Sequence, residues 1–241
     1  MNKNKYPKFN KNYILKKGKK FLVKDYFSET FRLINNKYKK NSNFSLIDLG
    51  CASGFFVNYI TSKFNKAETA GVDFSAPLIK EAKISNPNSK FYVKDLLKNS
   101  LSKIGKYDIT TCLGTLEVFD DHSIPIKNLF SVTKKGGTII IFTLVNKHDV
   151  NVKLRYQKNY GSDKNWYTAF NNFSKPYWIE KIKAHKKNAK IKFHKFQLKK
   201  KLARTKNDPM RSWTTSFGTV KNQITVGTAQ ILCYNIIEIK V

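Results

Sequence analysis

The residues whose types and spacing could do chemistry begin with the run Leu46-Ile47-Asp48-Leu49-Gly50-Cys51-Ala52-Ser53-Gly54-Phe55. An apolar segment ends there in a short loop of small residues, and a helical pattern starts at once. Gly50 and Gly54 permit backbone angles and a close approach that a side chain would forbid. Such a loop offers backbone N–H groups and the positive end of a helix to a ligand lying over the strand ends. Asp48 places a carboxylate in the same crevice. Asp73 closes the segment Ala70-Gly71-Val72-Asp73, 23 residues after Gly50, the spacing expected of a carboxylate that accepts both hydroxyls of a ribose. Phe74, its neighbour, is placed to lie against a purine face. Asp95, in Val93-Lys94-Asp95-Leu96, is placed to accept a hydrogen bond from the exocyclic amine of adenine. Three acids at successive strand ends describe recognition of a nucleoside-bearing ligand.

Elements must hold these groups, and hydrophobic periodicity predicts them. Strands are expected at Ser45–Leu49, Thr69–Val72, Lys90–Val93, Tyr107–Leu113 and Thr138–Leu144, with helices at Phe55–Phe64, Ala76–Ile84 and Ile124–Val132. Ser75 and Pro77 start the second of these helices cleanly. This alternation predicts an α/β fold with right-handed crossovers and a mostly parallel sheet covered on both faces. An N-terminal helix is expected within Phe21–Tyr38, after a lysine-rich tail. Beyond Val145 the pattern weakens. Lys175–Lys186 reads as a helix, Lys190–Leu198 and Gln230–Ile239 as strands, and Lys199–Gly227 has no clear period. Ile191 and Phe193 are out of register with Phe196 and Leu198, which predicts a bulge or a strand end. The expected organisation is a basic tail and helix over 1–43 and one domain over 44–241, with lid or insert elements at about 146–227.

The runs Asp48-Leu49-Gly50-Cys51-Ala52-Ser53-Gly54 and Gly71-Val72-Asp73-Phe74-Ser75, with the pair Asp95-Leu96, resemble the class I S-adenosylmethionine-dependent methyltransferases. The first motif of that family reads acid-x-Gly-x-Gly-x-Gly. Further matches are Tyr107-Asp108-Ile109, Leu113-Gly114-Thr115-Leu116-Glu117 and Lys135-Gly136-Gly137-Thr138, so the likeness runs from about Phe44 to Val145. It implies a Rossmann-like, seven-stranded, mostly parallel sheet with helices on both faces and the last strand pair antiparallel, Gln230–Ile239 supplying the antiparallel strand. It also implies S-adenosylmethionine as cofactor. Asp48 and the loop of Gly50, Cys51, Ala52 and Gly54 would then face its methionine part. Asp73 would face the ribose beside Phe74, Asp95 and Leu96 the adenine, and Leu113 would lie along the cofactor. Ala52 stands where the family has its middle glycine. Leu116-Glu117-Val118 stands where many small-molecule members read Leu-Glu-His. A nicotinamide dehydrogenase is disfavoured because the Gly-x-Gly-x-x-Gly fingerprint is absent.

Methyl transfer from a sulfonium needs alignment and exclusion of water, and a general base only when the acceptor is a hydroxyl or a protonated amine. His148, in Asn146-Lys147-His148-Asp149 just past the fifth strand, is the candidate base. His122, beside Asp120 and Asp121, reads as a surface turn, and His185 and His194 as solvated residues in lysine-rich stretches. Candidate acceptor contacts are Glu117, the aromatic residues Tyr160, Trp166 and Tyr167, and the pair Arg211 and Trp213, where an anionic or sugar group could be held. The C-terminal layout is loosely similar to methyltransferases of bacterial surface-polysaccharide synthesis. The acceptor expected is therefore a small molecule or a sugar or glycan precursor, methylated on oxygen or nitrogen.

Composition sets the remaining bounds. The formal net charge is +30, from 42 Lys and 4 Arg against 16 acidic residues. That invites RNA as an alternative acceptor, but phosphate recognition leans on arginine, and 24 Asn among so many lysines are what an AT-rich genome encodes. Residues 1–40 carry +11, residues 41–145 only +3, and residues 146–241 carry +16. The chemical centre is thus nearly balanced. A nucleic-acid methyltransferase is further disfavoured because no Asp/Asn-Pro-Pro-aromatic run follows the fourth strand, and no proline precedes Cys112. The basic N-terminal segment leaves room for a peripheral contact with a membrane surface. No apolar run reaches the ~20 residues that cross a bilayer. Cys51, Cys112 and Cys233 form no Cys-x-x-Cys pair, so neither a disulfide framework nor a metal site is expected, and a reducing cytoplasmic setting fits best.

Overall fold

A computed structural model describes residues 23–98, 100–159, 162, 164–206 and 208–241. Helix α1 (Asp25–Lys37) leads into β1 (Phe44–Leu49), α2 (Phe55–Thr61), β2 (Ala67–Asp73), α3 (Ala76–Ser85) and β3 (Lys90–Val93). The chain continues through β4 (Tyr107–Leu113), α4 (Ser123–Val132) and the long β5 (Thr133–Asn146). After it come three short strands, β6 (Arg155–Gln157), β7 (Trp166–Thr168) and β8 (Phe173–Ser174), then α5 (Lys175–Lys183) and β9 (Lys190–Lys195). Strands β10 (Trp213–Phe217), β11 (Val220–Thr225), β12 (Ile231–Leu232) and β13 (Tyr234–Lys240) complete the chain.

The main sheet runs β3-β2-β1-β4-β5-β13-β9, and β8 adds two residues beside the end of β5. Strands β1 to β5 pair in parallel, while β13 is antiparallel to both β5 and β9. The expected seven-stranded Rossmann-like sheet with one antiparallel strand is what the chain forms. Its central strands read as continuous apolar runs because both faces are covered. Along β5, Ile139 and Ile141 face one cluster with Ile47, Leu49, Cys112, Ile237 and Trp178. Ile140 and Phe142, one residue out of phase, face the other with Leu46, Ile109, Phe27, Phe56 and Ile236. This two-residue period places α1 and α2 on one face and α4 and α5 on the opposite one.

Most boundaries fall within three residues of expectation, with three informative differences. Helix α1 starts at Asp25, with Lys24 in an extended conformation ahead of it; the tail through residue 22, where the helix was expected to begin, lies outside the described residues. Strand β9 stops at Lys195, where the apolar register breaks. The stretch without a period, Lys199–Gly227, contains the β10–β11 hairpin, whose Thr- and Ser-rich strands are half exposed and carry too few apolar residues to show an alternation.

The loop after β1 is the tightest part of the fold. The Gly50 and Cys51 N–H groups donate to the Val72 carbonyl at 2.7 and 2.9 Å, tying the loop to the end of β2. Gly50 adopts φ +81°, and a Cβ there would lie 2.2 Å from the Thr115 hydroxyl, so only glycine fits. Ala52 is also left-handed, at φ 48°, a conformation that costs a non-glycine residue about 1 kcal/mol. Ala52→Gly is therefore expected to raise the melting temperature by about 2–4 °C. A thermal scan showing a fall would mean that the alanine methyl makes packing contacts worth more than the strain.

Candidate active site

Strand order reverses between β1 and β4, and the crevice that opens at their C-terminal ends is where α/β sheets of this kind bind ligands. Asp48 sits at this point, paired in register with Thr111 of β4. It is buried, and its Oδ1 accepts from the Thr111 hydroxyl at 2.6 Å. Burial pushes its carboxyl up to about 7; the Thr111 bond opposes this, the neighbouring Asp73 carboxylate reinforces it, and the Lys24 ammonium opposes it. Asp73 is also buried. Its Oδ2 accepts from the Ala52 N–H and its Oδ1 from the Ser75 N–H, each at 2.9 Å, so the carboxylate ties the glycine loop to the start of α3. Burial raises its pKa too, against those backbone donors. Phe74 is 60% exposed, its ring free to cover a flat ligand. Asp95 caps its own turn by accepting from the Leu97 N–H at 2.9 Å. Leu96 is buried beneath it, and the Leu96 carbonyl accepts from Asn128. Leu113 and Cys51 are buried at the ends of β4 and β1.

Glu117 follows β4 and is buried at 6% exposure, with Oε2 lacking any hydrogen-bond partner. Desolvation pushes its carboxyl up to about 7, against a hydrogen bond from Tyr234. Asn171 clamps this loop to the insert. Its N–H donates to the Glu117 carbonyl at 2.8 Å and its amide to the Phe119 carbonyl at 2.9 Å, while its Oδ1 accepts from the Leu154 N–H. Arg155 pairs with Asp120 beside it at 2.6 Å.

Three rings stack along the wall: Tyr26 lies 4.5 Å from Phe142, and Phe142 lies 4.6 Å from Tyr234, both nearly parallel. Phe196 meets Phe142 edge-on. The Lys24 ammonium donates to the Tyr26 hydroxyl at 3.0 Å, and it feels the charges of both Arg211 and Asp48. The β10–β12 sheet closes over this end through Ile224, Val226 and Leu232 against Leu144.

The structure sets Asp48, Gly50, Cys51, Ala52, Gly54, Asp73, Phe74, Asp95, Leu96, Leu113 and Glu117 at or just past the C-terminal ends of β1 to β4, on one edge of the parallel sheet. Arg211 is exposed on the segment between β9 and β10, and its charge bears on the Lys24 ammonium. Trp213 instead packs into the insert, with the Arg204 guanidinium 5.0 Å above its ring. Trp166 and Tyr167 are adjacent on β7 and part ways, Trp166 exposed and Tyr167 buried. Tyr160 lies outside the described residues. His148 is exposed on the turn after β5, where its N–H donates to the Asn146 side chain.

His122 is no surface residue. Asp120 and Asp121 turn outward to Arg155 and Lys181, and the imidazole is fully buried among Phe173, Tyr177 and Trp178. Its Nε2 donates to the Leu116 carbonyl and its Nδ1 accepts from the Tyr177 hydroxyl, both at 2.9 Å. Burial lowers its pKa to about 4, so the ring is neutral and both nitrogens are engaged. His185 and His194 have partners as well, the Ser123 carbonyl and Glu238. Sequence reasoning missed Lys24, Tyr26, Tyr234 and Asn171. Thr111 carried a faint signal, a polar residue inside an otherwise apolar strand.

Against known families, residues 40–203 match a methyltransferase domain, and the chain belongs to the class I S-adenosylmethionine-dependent methyltransferases. A putative methyltransferase, 235L, of Invertebrate iridescent virus 6 is 28% identical over 138 residues, covering 56% of this chain and 49% of the viral protein. A malonyl-[acyl-carrier protein] O-methyltransferase of Bacillus anthracis is 27% identical over 112 residues, covering 46% of this chain and 41% of that protein. The matches thus span less than half the length of these relatives. The crystal structure of an S-adenosylmethionine-dependent methyltransferase from Clostridium acetobutylicum ATCC 824 shares the fold at a TM-score of 0.54 and 13% identity, covering 89% of each chain.

S-adenosylmethionine is the cofactor of this family, and the residues present fit it. Two buried carboxylates, Asp48 and Asp73, are held above their usual range, and a ligand carrying a sulfonium and an ammonium relieves that strain.

The Glu117 carboxyl makes a pH-dependent contribution of definite sign. Its folded pKa lies above its ordinary value of 4.5, so its contribution to stability is complete below about pH 4.5 and lost as pH rises through about 7. Relative to Glu117→Gln, the unsubstituted protein is expected to lose melting temperature between pH 5 and 8. Parallel pH curves for the two would show that the carboxyl is not held protonated by burial.

Proposed function

We propose that this chain transfers the methyl group of S-adenosylmethionine to an oxygen or nitrogen of a small acceptor, with sugar or glycan precursors among the acceptors to be screened. The observation that carries this reading is the placement of Asp48, Asp73 and Asp95 at or just past the ends of three neighbouring strands beside the reversal of strand order. When bound, S-adenosylmethionine supplies a methyl group on a positively charged sulfur.

The chain's own part is to orient and to exclude water. Asp73 and the Gly50–Gly54 loop hold the nucleoside, and Asp48 its cationic amino-acid end. Glu117, Tyr26 and Tyr234 line the side from which an acceptor approaches, and the β10–β12 insert covers it. The malonyl-[acyl-carrier protein] O-methyltransferases support transfer to an oxygen of a small or carrier-bound acceptor by likeness. Arg211 supports an acceptor with an anionic or sugar group, as read from the sequence.

The test is thermal stability with S-adenosylmethionine and S-adenosylhomocysteine, repeated on Asp73→Ala, followed by transfer of labelled methyl to sugars, nucleotide sugars and RNA. At ~100 times its dissociation constant a ligand should stabilise by about 2.7 kcal/mol, and Asp73→Ala should abolish that shift. No shift in the folded protein with either ligand would overturn the cofactor assignment, and label entering RNA alone would replace the small acceptor with the nucleic-acid alternative.

A further inference from the structure

The hairpin of β10 and β11 ends in a tip that stands clear of the rest of the protein. Phe217 and Val220 pair across the turn Gly218-Thr219, so their side chains leave the same face of the ribbon. A Cβ added at Gly218 would meet nothing within 4 Å. Phe217 is 75% exposed, more than any other large apolar side chain among the described residues, and Val220 is 48% exposed. Holding such a pair in water costs free energy that burial in an apolar medium recovers.

The ground from which the tip rises is cationic. Between Glu180 and Glu238 the sequence holds 14 Lys and Arg and a single acid, Asp208. Codon drift enriches lysine along the whole chain, yet residues 41–145 keep 9 acids beside 12 basic residues. What sets the later segment apart is its missing acids. The fold brings part of this charge to the hairpin, because residues 198–204 run alongside it. The Asn222 amide donates to the Leu198 carbonyl at 3.5 Å, the Thr214 N–H to the Leu202 carbonyl at 3.1 Å, and the Leu202 N–H to the Thr214 hydroxyl at 3.0 Å. Lys199 in this run is engaged by α1, its N–H by Asp25 and its ammonium by Glu29 at 3.0 Å each. Lys200 and Lys201, like Lys221 next to Val220, are exposed and make no ion pair among the described residues.

An apolar tip ringed by free ammonium groups fits a surface that is anionic outside and apolar beneath. An anionic lipid bilayer has that layering: the acyl region takes the tip, and the headgroups take the lysines at the reach of their flexible stems. A second copy of this chain would bring the same positive charge to the contact. RNA is held by aromatic faces laid along a groove, whereas a Phe paired with a Val at a narrow tip offers one ring and no groove.

We propose that the β10–β11 hairpin docks this protein on anionic lipid membranes, with Phe217 and Val220 entering the lipid and Lys200, Lys201 and Lys221 resting on the headgroups. Two buried side chains and a few ammonium groups give reversible attachment, not insertion. The docking surface uses none of the strand-end acids, so it stands whether or not S-adenosylmethionine binds.

The test is co-sedimentation of the full chain with vesicles of phosphatidylcholine alone and of equimolar phosphatidylcholine and phosphatidylserine. Binding is expected to the mixed vesicles and not to the neutral ones. The double variant Phe217→Ser, Val220→Ser should weaken it about tenfold and leave the melting temperature unchanged, since both side chains are exposed. Lys200→Gln with Lys201→Gln should weaken it as well. Depth is read from Phe217→Trp, whose emission should shift to the blue on mixed vesicles and be quenched by acyl-brominated lipid beyond the quenching of the unsubstituted protein. The proposal is overturned if the double variant binds mixed vesicles as tightly as the unsubstituted protein, because lysines alone then hold the surface, or if Phe217→Trp gains no quenching. It is also overturned if polyuridylate and not the vesicles is bound with this dependence on the tip, which assigns the surface to RNA. A lipid-free dimer that Phe217→Ser dissociates would equally overturn it, by assigning the tip to a second copy.

Discussion

Between β1 and β4 the sheet reverses its order, and the chains leaving these two neighbouring strands turn to opposite faces. No crossover covers the gap between them, so the C-terminal ends of two adjacent strands stand open. The rest of the site follows from that constraint. Asp48 at this position is buried yet faces no covering helix, its Oδ1 held by Thr111 across the strand pair. The loop that leaves β1 must turn tightly enough to pass under Thr115, which demands glycine at position 50. Asp73, one strand over, then ties that loop to α3 through two backbone N–H groups.

Electrostatics and packing meet at the opposite wall. Burial raises the carboxyls of Asp48 and Asp73 above their usual range, so a cation brought beside them would favour their charged form. The wall that faces them comes from three distant parts of the chain: the start of α1, the end of β5 and the last strand. The stack of Tyr26, Phe142 and Tyr234 joins these parts. It holds a lysine at one hydroxyl and bonds a buried glutamate at the other. The insert between β5 and β13 seals this side and is anchored by Asn171 to the loop that carries Glu117.

The glycine loop and the strand-end acids were legible because their determinants are local. A strand, a small-residue loop and a helix follow one another within about ten residues, and each acid sits at the end of its own apolar run, so residue type and spacing carry the geometry. Fully buried parallel strands are also easy to recognise, since both faces demand apolar residues. His122 was misread for the converse reason. Its neighbours Asp120 and Asp121 dominate the local pattern, while the aromatic residues that enclose the ring come from Phe173, Tyr177 and Trp178, some fifty positions away.

The sequence by itself determined the α/β sheet, the antiparallel last strand, the glycine loop and the three strand-end acids. These features are written in short-range periodicity and in the conformational freedom of single residues. Tertiary structure alone decided which distant side chains meet beside the strand ends. Lys24 looked like one lysine among 42, and only the fold joins the Tyr26 that holds its ammonium to Phe142 and Tyr234. Contacts between residues separated by nearly two hundred positions leave no trace in local spacing, because what brings them together is the closure of the whole sheet and its insert around one gap.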